Sequence, residues 1–297
     1  MANYDDMFKT EEERETEKKE FVPFDKSAWI EQKQIEREQA YIMMADTAEK
    51  MGKDGNVFRQ YLDVQAQFNR YSVGNALLVV AQMPTATRLA DFDTWKQNNA
   101  YVQKGATGIV LLEPGDEFTR EDGSVGVSFN TKKVFDVSQT SLADKQQTAS
   151  KPDERQFIKA MIAESPRKIK ISTEVSEQVG AVYDKDSGMI LIRQGMNGSD
   201  IIKKLSREIA AVHIADAPER SNVAFNAYCV SYIISKRAGV DVSDYNFTKL
   251  PDNIRGCQAK DIRTELSQIR DTANEMITEI NKNFEQQKTA KPRDEVR

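Results

Sequence analysis

Apolar residues recur at helical spacing through the first third of the chain. Trp29, Ile30, Ala40, Tyr41, Ala45 and Ala48 outline one long amphipathic helix that ends near Met51 and Gly52. Val57, Tyr61, Val64 and Phe68 follow at spacings of four, three and four, one face of a second helix. The run from Asn75 to Gln82 reads as a short buried helix stopped by Pro84, and Asp91 is a good N-cap for a fourth over DFDTWKQNN. The pattern then changes period. Gly108–Leu112, Val125–Phe129 and Lys132–Val137 read as three strands, with Asp122-Gly123 supplying a hairpin turn.

A polar stretch without apolar periodicity, Ser138 to Glu154, separates this half from the next. Beyond it the order differs. Asp153–Glu164 reads as a helix, Lys168–Thr173 as a strand, and AVYD and MILIR as a hairpin around Lys185–Gly188. Ser199 is the expected cap of a helix from Asp200 to about Ala215. Further helices are expected from Glu219 to Arg237, stopped by Gly239, and from about Ala259 to Asn283. The expected class is α+β: N-terminal helices followed by a small antiparallel sheet, then a second α+β unit. The expected division is an acidic leader over 1–25, a first domain over 26–140, a linker over 141–154, a second domain over 155–285 and a polar tail over 286–297. Each domain has a size that can hold its own core. The first 20 residues hold eight acidic and four basic residues, hence an expectation of disorder there.

Composition narrows the chemistry. The 297 residues include one histidine and two cysteines. His213 alone excludes a zinc site with two or three histidines in one chain, and Cys229 and Cys257 exclude a four-cysteine site or a disulfide framework. Mean hydropathy is -0.62, and no apolar run approaches the roughly 18 residues of a membrane span. With no signal-peptide core in the first 20 residues, the expected location is cytoplasmic. Net charge is -5, so a nucleic-acid partner would need a local basic patch.

Tyr71 to Gly108 holds such a mix. Arg88, Lys96 and Lys104 stand among Tyr71, Trp95 and Tyr101, with Arg70 just before. A single-strand binder needs cations that follow phosphates and flat rings on which bases stack. Tyr71, Trp95 and Tyr101 are the stacking candidates, and Arg70, Arg88, Lys96 and Lys104 the phosphate candidates. Asn75 and Gln82 are read either as polar contacts or as helix and turn formers. The plain alternative is that Trp95 and Tyr71 belong to a core, since large rings contribute mostly through burial.

The stretch YSVGNALLVVAQMPTATRLADFDTWKQNNAYVQKGATGIVLLEP, with VFDVSQT at Val134–Thr140, resembles the N-terminal domain of ArdC-type antirestriction proteins and related LtrC-like proteins of mobile elements. The carriers are a Tyr-Ser-x-x-Asn helix, a Gln-x-Pro-x-Ala-Thr turn, a Trp-Lys helix, a Lys-Gly loop and a closing Phe-Asp-x-x-Gln-Thr, in order over about 70 residues. The resemblance implies single-stranded DNA binding. One departure is Asn99-Ala100, where the family has Gly-Arg, which removes a phosphate contact.

The second half resembles the metallopeptidase-like part of the same family in GAVYDKDSGMILIRQG and in AYCVSYIISKRAGVDVSDYNF, Ala227–Phe247. The family helix between them carries His-Glu-x-x-His, two ligands on one face and a general base. Here it reads Arg207-Glu208-Ile209-Ala210-Ala211, and Tyr228 stands at the position of the third ligand. Only the would-be base, Glu208, persists. His213 lies roughly 160° around the helix from Ala211. The expectations are therefore a zincin-like fold with no metal or other cofactor and no catalysis, and single-stranded DNA as partner, together with a restriction or transfer protein. The alternative is a protein-interaction module without DNA binding.

Overall fold

The computed structural model describes residues 25–143, 151–216 and 223–289. The expected leader up to residue 24, residues 144–150 of the linker, the start of the helix expected from Glu219, and the tail beyond residue 289 lie outside them.

Three helices open the fold. α1, Lys26–Met51, starts at Asp25, whose carboxylate accepts from the N–H groups of Ser27 and Ala28. Its buried stripe is Ala40, Met44, Thr47, Ala48 and Met51, at the three-and-four spacing of a helix face. Trp29, Ile30 and Tyr41, expected on the inner face, are instead about half exposed. α2, Gly55–Gln67, is capped by Asp54, and α3, Val73–Gln82, by Ser72.

A three-stranded antiparallel sheet follows, in the order β1 (Leu89–Ala90), β3 (Val125–Asp136), β2 (Ile109–Thr119). Asp91 caps α4, Phe92–Gln97, between β1 and β2, as expected. The two strands expected over 125–129 and 132–137 are one continuous β3. Asn130 and Thr131 look like a break, yet they pair with Glu113 and Leu112 in the ladder. β2 likewise runs seven residues past Leu112, with an irregularity between Pro114 and Glu117.

The second half is α5 (Glu154–Glu164), β4 (Ile169–Ser172), the hairpin β5 (Ala181–Asp184) and β6 (Met189–Arg193), then α6 (Gly198–Asp216), α7 (Val223–Arg237) and α8 (Ala259–Thr289). β6 is central, antiparallel to β5 and parallel to β4. Asn197, rather than Ser199, caps α6: its side chain accepts from the Asp200 N–H at 2.8 Å. The class is α+β, as the sequence implied.

Buried residues of α1, α2 and α3 join those of α6, α7 and α8 in one continuous cluster. An aromatic group ties α2 to the second half: Phe58 lies 5.5 Å from Phe225 and 5.7 Å from Phe247 between ring centres. Polar contacts surround it. Tyr232 donates to Asp63 at 2.6 Å and accepts from Arg59 at 3.1 Å, and Arg237 donates to the Ala66 carbonyl. The backbones approach so closely at Gly55 that a Cβ there would lie 1.9 Å from the Phe247 carbonyl oxygen. No helix among the described residues is long and apolar enough to cross a membrane.

Candidate functional site

The residues expected to bind DNA fall into three groups. The first is structural. Asn75 of α3 donates to the Leu112 carbonyl at 2.8 Å and accepts from the Leu112 N–H at 2.9 Å. About two turns further along α3, Gln82 donates to the Val110 carbonyl and accepts from the Val110 N–H, at 2.9 and 2.8 Å. β2 is the outer strand of its sheet, and residues two apart present their backbone groups to the same edge. Two side-chain amides thus take the place of a further strand, a structural role for both residues.

The second group is buried. Trp95 is 0% exposed, packed with Ala100 and Val137 in a small separate core, and its indole N–H donates to the Phe135 carbonyl at 2.9 Å. The expected stacking role is corrected on this point: the ring has no face open to a base. The Arg88 guanidinium instead covers it, 5.0 Å from the ring centre. Tyr71 is half-buried, stacked on Phe68 at 5.1 Å, and burial raises its phenol pKa. Its main-chain oxygen accepts from Arg270.

The third group is exposed. Arg88, Lys96, Lys104 and Arg70 stand at the surface, and none of the four makes an ion pair among the described residues. Tyr101 is 65% exposed. The backbone draws most of them onto one frame. Val137 N–H donates to the Arg88 carbonyl, Ser141 N–H to the Tyr101 carbonyl, and Gln103 N–H to the Gln139 carbonyl. Residues 137–141 therefore lie between Arg88 on one side and 101–103 on the other, with α4 and Lys96 over the same small core. Asp136 fastens this frame. Burial pushes its carboxyl upward, but the N–H groups of Arg88, Ser138 and Thr87 outweigh that and hold it below the ordinary range. Gln139 completes it by accepting from the Asp136 N–H and donating to the Thr107 carbonyl. Of the two acids at the start of α4, Asp91 is engaged by Lys132 at 2.8 Å, which lowers it to about 2, and Asp93 stands exposed. Asn99 takes a left-handed φ of 54° at the end of α4, and Ala100 turns into the core.

Phe92 was missed in the sequence. It is 55% exposed at the first position of α4, a second open ring on the segment that carries Lys96. Its spacing of three from the buried Trp95 would place both rings on one helix face, so no sequence signal announced its exposure.

On α6 and α7, the positions singled out by the family resemblance are built into local contacts. Arg207 lies 5.7 Å from the centre of the Tyr228 ring, and the Tyr228 hydroxyl accepts from the Asn246 N–H at 2.8 Å. Glu208 accepts from the Tyr183 N–H of β5 at 3.0 Å. Burial raises its pKa, against that N–H and the charges of Arg207 and Lys204. His213 projects to another side of α6, where its Nε2 meets Glu164 at 2.8 Å. Arg207, Ala211 and Tyr228 put a guanidinium, a methyl and a phenol at the positions where the family resemblance expects ligands, and none of these groups suits zinc. Cys229 is a fully buried thiol whose pKa burial pushes up, an inert core residue.

No family model matches the chain, and no curated protein matches it. Among solved structures, the chain is similar to the metal-free antirestriction protein ArdC from the R388 plasmid, at a TM-score of 0.45 and 12% identity, covering 71% of this chain and 86% of that one. The Mn(II)-bound structure of that protein gives 0.45 and 14%, over 71% and 85%. Identity this low does not carry residue roles from one chain to the other.

Proposed function

We propose that this protein binds single-stranded DNA without catalysis, as an antirestriction or DNA-transfer accessory of a mobile element. The observation that carries the reading is the face around the small Trp95 core. Arg88, Lys96 and Lys104 stand exposed there, without carboxylate partners among the described residues, beside the open rings of Tyr101 and Phe92. Cations for phosphates and rings for bases are the two needs of a sequence-tolerant single-strand site. The α6 region acts as scaffold. Glu208 would need a metal-acidified water to serve as a base, and the side chains around it supply no ligand set. Titration of a labelled oligonucleotide at two salt concentrations tests the reading, because phosphate neutralisation releases counterions. A salt-independent signal, or none at micromolar protein, defeats it.

One observation favours a second reading, a protein-docking module. The outer half of the β2–β3 hairpin exposes Phe118, Val125 and Val127. On that reading the protein binds no DNA and Phe118→Ser abolishes capture of a restriction or transfer protein; capture unchanged by the substitution, or salt-dependent DNA binding by the wild-type protein, counts against it.

A further inference from the structure

A groove of about 490 Å³ opens between α1, the first turn of α3, β3 and the first three turns of α8. That volume lies within the roughly 300–1,000 Å³ range of small-ligand clefts. α8 supplies Lys260, Arg263, Ser267 and Arg270, whose spacings of three, four and three place them on one helix face. No aspartate or glutamate lines the groove. In a chain with five more acidic than basic residues, a cleft carrying three cations and no acid departs from the average surface.

The cations differ in how far they are committed. Arg270 already donates to the Tyr71 carbonyl at 2.9 Å and pairs with Asp271 at 2.6 Å. The side chains of Lys260 and Arg263 make no hydrogen bond or ion pair among the described residues, and both are exposed. Across from them, Tyr41 of α1 and Phe129 of β3 line the same groove with rings 43% and 38% exposed. Tyr41 stands three residues before Met44 and seven before Ala48, in line with the buried stripe of its helix, yet it stays exposed where the groove opens.

Two free cations facing two open rings match one ligand chemistry, an anionic phosphate attached to a flat heterocycle. We propose that the groove binds a nucleotide, with its phosphate between Lys260 and Arg263 and its base against Tyr41 or Phe129. The site shares no residue with the Arg88 face, so it stands or falls separately. The nucleotide has two sources, a free molecule in solution or one unit of a bound strand.

The test is calorimetry on the full chain with thymidine monophosphate, thymidine and an oligo(dT) strand. Removing one charged phosphate contact is worth roughly 10-fold or more in affinity, and one stacked base about 5-fold or more. Lys260→Ala with Arg263→Ala, both at exposed positions, is expected to weaken thymidine monophosphate by at least that factor, and Tyr41→Ala to weaken it further. Thymidine is expected not to bind detectably. Arg88→Ala with Lys96→Ala leaves the monophosphate isotherm unchanged. Should only the strand bind, and lose affinity on the Lys260 and Arg263 changes, the groove holds a unit of the strand. Should the strand depend on Lys260 and Arg263 but not on Arg88 and Lys96, the groove stands and the Arg88 face falls. Monophosphate and strand isotherms both indifferent to Lys260, Arg263 and Tyr41 overturn the proposal.

Discussion

The amide clamp on β2 is the most exposed to refutation. Replacing Asn75 with alanine removes two hydrogen bonds, 2.8 and 2.9 Å long, to the Leu112 backbone and leaves its N–H and carbonyl without that partner. A typical net contribution is about 1 kcal/mol per bond, and a partly buried group left unmet costs about 1–3 kcal/mol. Asn75→Ala is therefore expected to destabilise the fold by about 2–3 kcal/mol. For a chain of this size that lowers Tm by roughly 4–10 °C. Asn75→Asp separates the hydrogen-bond account from simple loss of shape. The carboxylate keeps the acceptor for the Leu112 N–H but turns a second oxygen toward the Leu112 carbonyl. Its ionised form is disfavoured in the folded state, so its folded pKa rises, and the stability lost at neutral pH returns as pH falls through that value. Urea melts of the wild-type protein, Asn75→Ala and Asn75→Asp at pH 7 and pH 4.5 read this directly. An alanine variant within about 0.5 kcal/mol of wild type, or an aspartate variant whose deficit does not shrink on acidification, refutes the reasoning.

Three further outcomes follow from the packing. Gly55→Ala drives a Cβ to 1.9 Å from the Phe247 oxygen. Backbone must move, and the expected cost, about 3 kcal/mol, appears as a lower urea midpoint with the halves still unfolding together because they share one core. The His213 imidazole is raised above its ordinary value of 6.5, first by its hydrogen bond to Glu164 and against the effect of burial. A raised folded pKa gives stability that is complete below 6.5 and is lost as pH rises through the folded value. His213→Ala is thus expected to flatten that fall in Tm between neutral and mildly alkaline pH. Glu208 is raised mainly by burial, so it favours the fold in acid and opposes it as pH climbs through the folded value. Glu208→Gln, which keeps an oxygen for the Tyr183 N–H, is expected to match or exceed wild-type Tm at pH 7; a clear loss there would show that the carboxylate charge holds the helix.

Helices were legible where caps and periodicity agreed. Asp91 marked α4, and the four-three-four spacing marked α2. β1 has two residues, too few to show any alternation, and exists because Asp136 gathers the N–H groups of Thr87 and Arg88 beside it. The length of β3 was hidden because Asn130 and Thr131 are both polar, Asn130 exposed and Thr131 donating to Glu36 of α1, while their backbones stay in the ladder. The motif residues Asn75, Gln82, Asp136 and Gln139 were visible in the chain, but their partners are mostly backbone groups of distant segments, and no side-chain pattern announces those. The fate of Trp95 depended on which way a six-residue helix turns, which its own sequence does not set. The groove joins residue 41 to residues 129 and 260–270, so nothing local encodes it.

The central claim is that Arg88, Lys96 and Lys104 neutralise phosphates. Each single-strand phosphate contact contributes about 0.7 to the slope of log affinity against log salt. Fluorescence anisotropy of an oligo(dT) strand, measured from low to physiological salt, is expected to show a steep slope for the wild-type protein. For Arg88→Ala, Lys96→Ala and Lys104→Ala combined, a slope shallower by roughly 2 is predicted. A triple variant whose slope and affinity equal those of the wild-type protein would contradict the account.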